Sequence, residues 1–229
     1  MIDSMGNLWE AEDPEGAEEI PHITISDVMN KIRDLYPLGD VCVGGSSARN
    51  YILKNGLLSR DVDIYMAIGV TRYMFEEILH NIVFKGVPIA IDTPRGDPKY
   101  YKMPHMRRLV TVSFPLGNLP DLDFIFLNPS VVTDVSGYLM KNQASTISQC
   151  CLKTDYTLKG FTKVTSNDFD KAFRKEIPAY LNNHPSVCTP EQADKVVRFC
   201  KDNSIELRTK SLERDHRAEK ESIARPGWY

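Results

Sequence analysis

VCVGGSSARNYILKNGLLSRDVDIYMA, residues 41–67, sets an apolar run against a glycine pair, then two aspartates one residue apart inside a second apolar run. The pattern predicts a short strand ending at Gly44-Gly45. A helix over SSARNYILKNG then starts directly after the glycines and ends at Gly56. RDVDIYMAI follows as a strand, with Asp61, Asp63 and Tyr65 on one face and Val62, Ile64 and Met66 on the other. A lone charge is expensive to bury unless it is paired, protonated or bound to a metal. Two carboxylates two residues apart on a strand also repel each other, and a divalent cation removes that cost.

The glycine turn adds a second requirement. Glycines let an anion approach the backbone closely, and a helix starting at Ser46 and Ser47 favours phosphate through its free N–H groups. Each feature alone has a purely structural reading, a tight turn without a ligand or a strand end with solvated acids. A third acid lies in LPDLDFIFL: if Phe124 and Phe126 pack inward, Asp123 faces the other side with Ile125, while Asp121, following Pro120, reads as a turn residue. Three carboxylates on adjoining strands can hold two metal ions for in-line phosphoryl transfer.

The rest of the chain alternates helix and strand signals. Residues 1–20 are acidic, broken by Gly6, Pro14 and Gly16, and read as a flexible arm. ITISDVMNKIRDLYPLG predicts a helix opened by Ser26 or Asp27, with Val28, Ile32 and Leu35 as its apolar stripe. TRYMFEEILHNIVF is a helix with strong apolar periodicity; LVTVSF and LDFIFL are strands of a hairpin or near-hairpin; STISQCCLK is a further strand. PIAIDT and DYTLKGFTKV read as a strand and a small hairpin edge, and VVTDVSGYLMKNQ as a helix. From SNDFDKAFRKEIPAYL onward the chain reads as helical, and Thr189, Pro190 and Gln192 form a capping box. PRGDPKYYKMPHMRR interleaves base and aromatic, suited either to holding a nucleic-acid strand or to a solvated loop.

With 42% hydrophobic residues among 229, the chain suits one domain, or one domain with a small appendage, and its net charge of -3 argues against coating nucleic acid along its whole length. The cysteines number five, with no CxxC spacing, which suits buried free thiols in a reducing cytosol rather than zinc or disulfides. No basic signal peptide or membrane-length apolar run is visible, so a cytoplasmic location without membrane contact is expected.

These residues resemble the DNA polymerase β-like nucleotidyltransferase superfamily, closest to the head domain of CCA-adding enzymes and bacterial poly(A) polymerases. The likeness rests on GDVCVGGSSARNYI, SRDVDIYM, the later third acid and STISQCCL, over roughly residues 25–155. It implies an α/β (α+β) fold, a mixed sheet flanked by helices with a short helical C-terminal part. The division expected is an arm at 1–20, a core at 21–160 and a helical extension at 161–229. The resemblance further implies that Asp61, Asp63 and Asp123 are catalytic and bind Mg²⁺ or Mn²⁺. Gly44, Gly45, Ser46, Arg49 and Arg60 would contact the nucleotide. The implied activity is transfer of a nucleoside monophosphate from an NTP to an acceptor hydroxyl, an RNA 3′ end foremost, with a protein acceptor or partner as the other option. Arg49 lies one position further from the glycines than the family pattern has it. Asn50 and Ser148 replace its aspartate and asparagine, and the chain after the TI-strand is short. Those departures motivate an alternative, a catalytically idle fold acting as a binding or inhibitor module.

Overall fold

The computed structural model describes residues 23–37, 40–54, 59–93, 105–115, 120–155, 160–182 and 187–209. The expected acidic arm, Gly56 and most of the basic-aromatic loop lie outside the described residues.

A seven-stranded sheet forms the centre, in the order β3-β4-β5-β2-β1-β6-β7. Its strands are β1 (Val41–Val43), β2 (Asp61–Met66), β3 (Ala90–Asp92), β4 (Met106–Ser113), β5 (Asp121–Leu127), β6 (Cys150–Asp155) and β7 (Gly160–Thr165). The pair β2–β5 is parallel and every other pair in this sheet is antiparallel. Helix α1 (Ile25–Leu35) precedes β1, α2 (Gly45–Leu53) joins β1 to β2, and α3 (Arg72–Ile78) follows β2 and runs into a π-helical turn at Leu79–Val83. Helix α4 (Val135–Lys141) follows β5.

Central strands buried on both faces need apolar residues at nearly every position, and β2 and β5 have them. Val62, Ile64, Met66, Leu122, Phe124 and Phe126 enter one core with α1 and α3, where Phe75 meets Phe124 and Phe126 edge to face. Tyr65, Ile125 and Leu127 enter a second core beneath Val135, Tyr138 and Leu139 of α4. Asp63 and Asp123 share that second face one step before Tyr65 and Ile125, and there both side chains stay partly accessible.

The C-terminal part carries the expected helices as α5 (Asn167–Phe173) and α6 (Pro190–Asp202). It also holds a parallel two-stranded sheet of β8 (Ala179–Leu181) and β9 (Leu207–Thr209), where the pattern suggested helix through Leu181. A third core of Ile147, Ala172, Ala179, Val196, Cys200 and Ile205 packs this part against the turn that precedes β6.

Other local expectations shift for clear reasons. Helix α1 is capped by Thr24, not Ser26 or Asp27, because Thr24 and Asp27 close a reciprocal capping box. Leu35 is largely exposed at the end of that helix, while Met29 joins Val28 and Ile32 in the core. Helix α2 ends at Lys54, which takes the left-handed conformation itself at φ 52°. STISQCCLK divides into a single 3₁₀ turn at Thr146–Ser148 and the strand β6. The capping box of Thr189, Pro190 and Gln192 is present as expected. All five cysteines are free thiols, four of them buried.

Candidate active site at the glycine turn

Antiparallel register positions the turn. Val43 pairs with Ile64, and the backbone N–H of Gly44 continues the ladder by donating to the Asp63 carbonyl oxygen at 2.9 Å. The first residue of α2 is therefore delivered directly onto the Asp63 side chain. Gly45 sits at φ +65°, and a Cβ there would lie 2.1 Å from Asp63 Oδ2. Only glycine satisfies both conditions. Gly44 is constrained too, since a Cβ there would come 2.7 Å from the Tyr65 ring.

The serines lock the turn to the incoming strand. Ser47 Oγ donates to the Asp61 carbonyl oxygen at 2.8 Å, and Ser46 Oγ lies 3.0 Å from Ser59 Oγ. Gly44, the N-cap, has no side chain to cap α2, so the first N–H groups of the helix are left without a side-chain cap next to the Asp63 carboxylate.

Parallel pairing then assembles the acids. Asp63 stands opposite Asp123, and Asp61 opposite Asp121, across β2 and β5. Asp121 is thus a strand residue at the mouth of the site, not a turn residue. Asp61 and Asp121 are exposed, while Asp63 and Asp123 are half-buried. Desolvation, reinforced by the charges of Asp61 and Asp123, pushes the Asp63 carboxyl up to about 7. Lys195 opposes that rise. Asp123 is also raised by burial, with a hydrogen bond from Thr111 pulling against it. That bond, Thr111 Oγ1 to Asp123 Oδ1, measures 2.6 Å, and Thr111 is the register partner of Asp123 on β4. In LVTVSF nothing but alternation marked this threonine.

Among the described residues no three His, Cys, Asp or Glu side chains are gathered tightly enough to hold a metal ion by themselves. Two hard carboxylates side by side, each paying a desolvation cost, match what Mg²⁺ takes from a protein when substrate phosphates and water supply the remaining oxygens. Asp63 and Asp123 are the residues that could hold such an ion, with Asp61 at the rim.

The two arginines sit differently. Arg60 is exposed immediately before Asp61. Arg49 points away from the acids: its guanidinium carbon lies 3.8 Å from the centre of the Phe199 ring on α6, and its Nε is buried without a hydrogen-bond partner. Burial lowers its pKa, and the charges that act on it come from Cys150 and Cys200. The structure therefore brings together Gly44, Gly45, Ser46, Asp61, Asp63 and Asp123, and does not bring Arg49 to them.

No family model matches the chain, and no curated protein matches its sequence. Solved structures do match. One is the Thermotoga maritima CCA-adding enzyme complexed with tRNA, at a TM-score of 0.55 and 14% identity over 87% of this chain and 41% of that one. Another is a CCA-adding enzyme complexed with CTP, at 0.53 and 19% identity over 87% of this chain and 42% of that one. The fold is that of the CCA-adding enzymes. A tRNA nucleotidyltransferase complexed with a primer tRNA and an incoming ATP analogue also aligns, at 0.50 and 16% identity over 86% and 49% of the two chains. The chain spans less than half the length of these CCA-adding-fold structures. Among the described residues no helix is long and apolar enough to cross a membrane.

Proposed function

We propose that this chain is a metal-dependent nucleotidyltransferase that moves a nucleoside monophosphate from an NTP to the 3′ hydroxyl of an RNA. The observation that carries the proposal is the contact between Gly45 and Asp63, with Asp123 registered beside it. An uncapped helix start, suited to phosphate, and a pair of carboxylates with raised pKa lie side by side, and nucleotidyl transfer calls for both together. The fold shared with enzymes solved in complex with CTP and tRNA supports the choice of substrates.

In this reading the triphosphate lies against the backbone of Gly45 and Ser46. Mg²⁺ (or Mn²⁺) would be held by Asp63 and Asp123, with Asp61 at the rim, and would supply charge neutralisation for the phosphates. The RNA 3′ oxygen forms a bond to the α-phosphorus as the α–β phosphoanhydride bond breaks, and pyrophosphate leaves. The hydroxyl proton passes to a carboxylate, Asp123 being held in place for it by Thr111.

The test is incubation with each α-labelled NTP, Mg²⁺ and a pool of RNA. Label should appear at RNA 3′ ends with the wild-type chain and be absent with Asp63→Ala or Asp123→Ala at unchanged secondary structure. Label transfer that survives both substitutions would refute the assignment, and label on a protein instead of RNA would replace the acceptor.

A further inference from the structure

The segment between α4 and the Thr146–Ser148 turn is polar and buried: Gln143, Ser145 and Thr146 all lie inside the protein. Buried polar groups are costly unless hydrogen-bonded, and β8 supplies part of what these need. The Asn182 backbone N–H donates to the Ala144 carbonyl oxygen at 2.8 Å, and Asn182 Nδ2 donates to the Gln143 carbonyl oxygen at 3.3 Å. The Tyr180 N–H donates to Thr146 Oγ1 at 2.9 Å. With its backbone held in this way, the segment brings the Gln143 side chain into a hydrogen bond with the Tyr65 hydroxyl. Gln143 Nε2 is itself buried without a partner. Along its Cδ2–Cε2 edge the Tyr65 ring lies against the glycine turn, since a Cβ on Gly44 would be 2.7 Å from Tyr65 Cε2 and 3.1 Å from Cδ2.

We propose that Tyr65 and Gln143 are positioning residues for the NTP: the hydrogen bond between them fixes the ring on which Gly44 rests, and so sets where the first N–H groups of α2 meet the triphosphate. The proposal rests on the nucleotidyltransferase reading given above. A glycine pair has no side chains to anchor it and is conformationally free. On one side the Gly44 N–H ties the turn to the Asp63 carbonyl oxygen at 2.9 Å; on the other the Tyr65 ring and Leu139 are its support. A ring held by apolar packing alone can slide, whereas one whose hydroxyl is anchored at its far end cannot. Hydrogen bonds to phosphate tolerate little displacement of the donors, so a small shift of the turn weakens binding. Stability does not account for the pair. Phenylalanine and an apolar chain shaped like glutamine would fill the same space with no polar group to satisfy, and such a double replacement is nearly neutral or stabilising.

Steady-state transfer of label from α-labelled NTP to RNA in Mg²⁺, measured on the full chain beside thermal unfolding, tests this. Tyr65→Phe and Gln143→Met each leave a buried polar group unpaired, so each should lower the melting temperature. Each should also raise KM for the NTP about 5- to 10-fold with kcat little changed. The double variant should regain most of the melting temperature, because both polar partners are gone together. Its KM should stay at the level of the single variants instead of rising by the product of the two increases. Stability that returns while KM does not separates positioning from a structural role. If the melting temperatures fall and KM keeps its wild-type value in both single variants, the pair is structural and the proposal fails. If only Gln143→Met raises KM, or the two increases multiply, Gln143 touches the nucleotide itself and the proposal fails. Either result leaves the nucleotidyltransferase reading standing, whereas a wild-type chain that transfers no label from any NTP overturns both.

Discussion

Asp63 keeps its proton up to about pH 7, against 3.8 for an ordinary aspartate, because it is desolvated next to Asp61 and Asp123. The unfolded chain gives up this proton earlier than the folded one does. Folded stability contributed by this group is therefore complete below about pH 4, falls as pH rises, and is lost above about pH 7. Asn at this position cannot ionise, so Asp63→Asn in chelator should exceed the wild type in stability at pH 8 and match it at pH 4. Denaturant titrations at the two pH values check this, and a gap that does not change with pH would contradict it. Gly45 makes a second prediction at the same spot. Gly45→Ala carries both a left-handed backbone and the 2.1 Å clash with Asp63 Oδ2, and should cost about 2 kcal/mol or more. Asp63→Ala in the same chain removes the colliding oxygen and should restore part of that loss, leaving the backbone cost. A double-mutant cycle measures the coupling, and strict additivity would show that the clash relaxes at no cost.

Among the elements, β4 decides how well Asp123 is held. Thr111→Val removes the 2.6 Å hydrogen bond with little change in volume. It should lower kcat about tenfold with KM little changed, and Thr111→Ser should restore most of the rate. An equal loss in the Ser variant would point to packing rather than the hydrogen bond. The elements also show what could be read in advance. Alternation in DVDIYM and DLDFIFL put Asp61, Asp63 and Asp123 on the correct face, because residues two apart on a strand share a side whatever the partner strand. That β2 and β5 lie adjacent and parallel is a long-range fact with no local signature, so the opposition of Asp63 to Asp123, and the strand position of Asp121, came only with the structure. Arg49 was placed on the nucleotide by family likeness, whereas its ring partner Phe199 lies on a distant helix that no pattern near Arg49 reveals. The short strands β8 and β9 were hidden for the same reason: three residues each, stabilised by pairing with one another.

At the scale of the whole molecule, two cores sandwich the seven-stranded sheet and a third packs the C-terminal part against the turn before β6. Both faces of β2 and β5 are apolar except at one end, where the acids and the glycine turn meet. That polar strand end is where the proposed chemistry is placed, on a fold shared with the CCA-adding enzymes. The acids are costly to keep there without a cation, as the raised carboxyls of Asp63 and Asp123 show. The most direct measurement is anomalous scattering from Mn²⁺ in crystals of the full chain grown with an NTP analogue that cannot be cleaved between the α and β phosphates. A peak within about 2.2 Å of carboxylate oxygens of Asp63 and Asp123, and in contact with the analogue's phosphates against Gly45, is the predicted result. Nucleotide bound in that position without Mn²⁺ on either carboxylate, or Mn²⁺ bound only elsewhere, would contradict it.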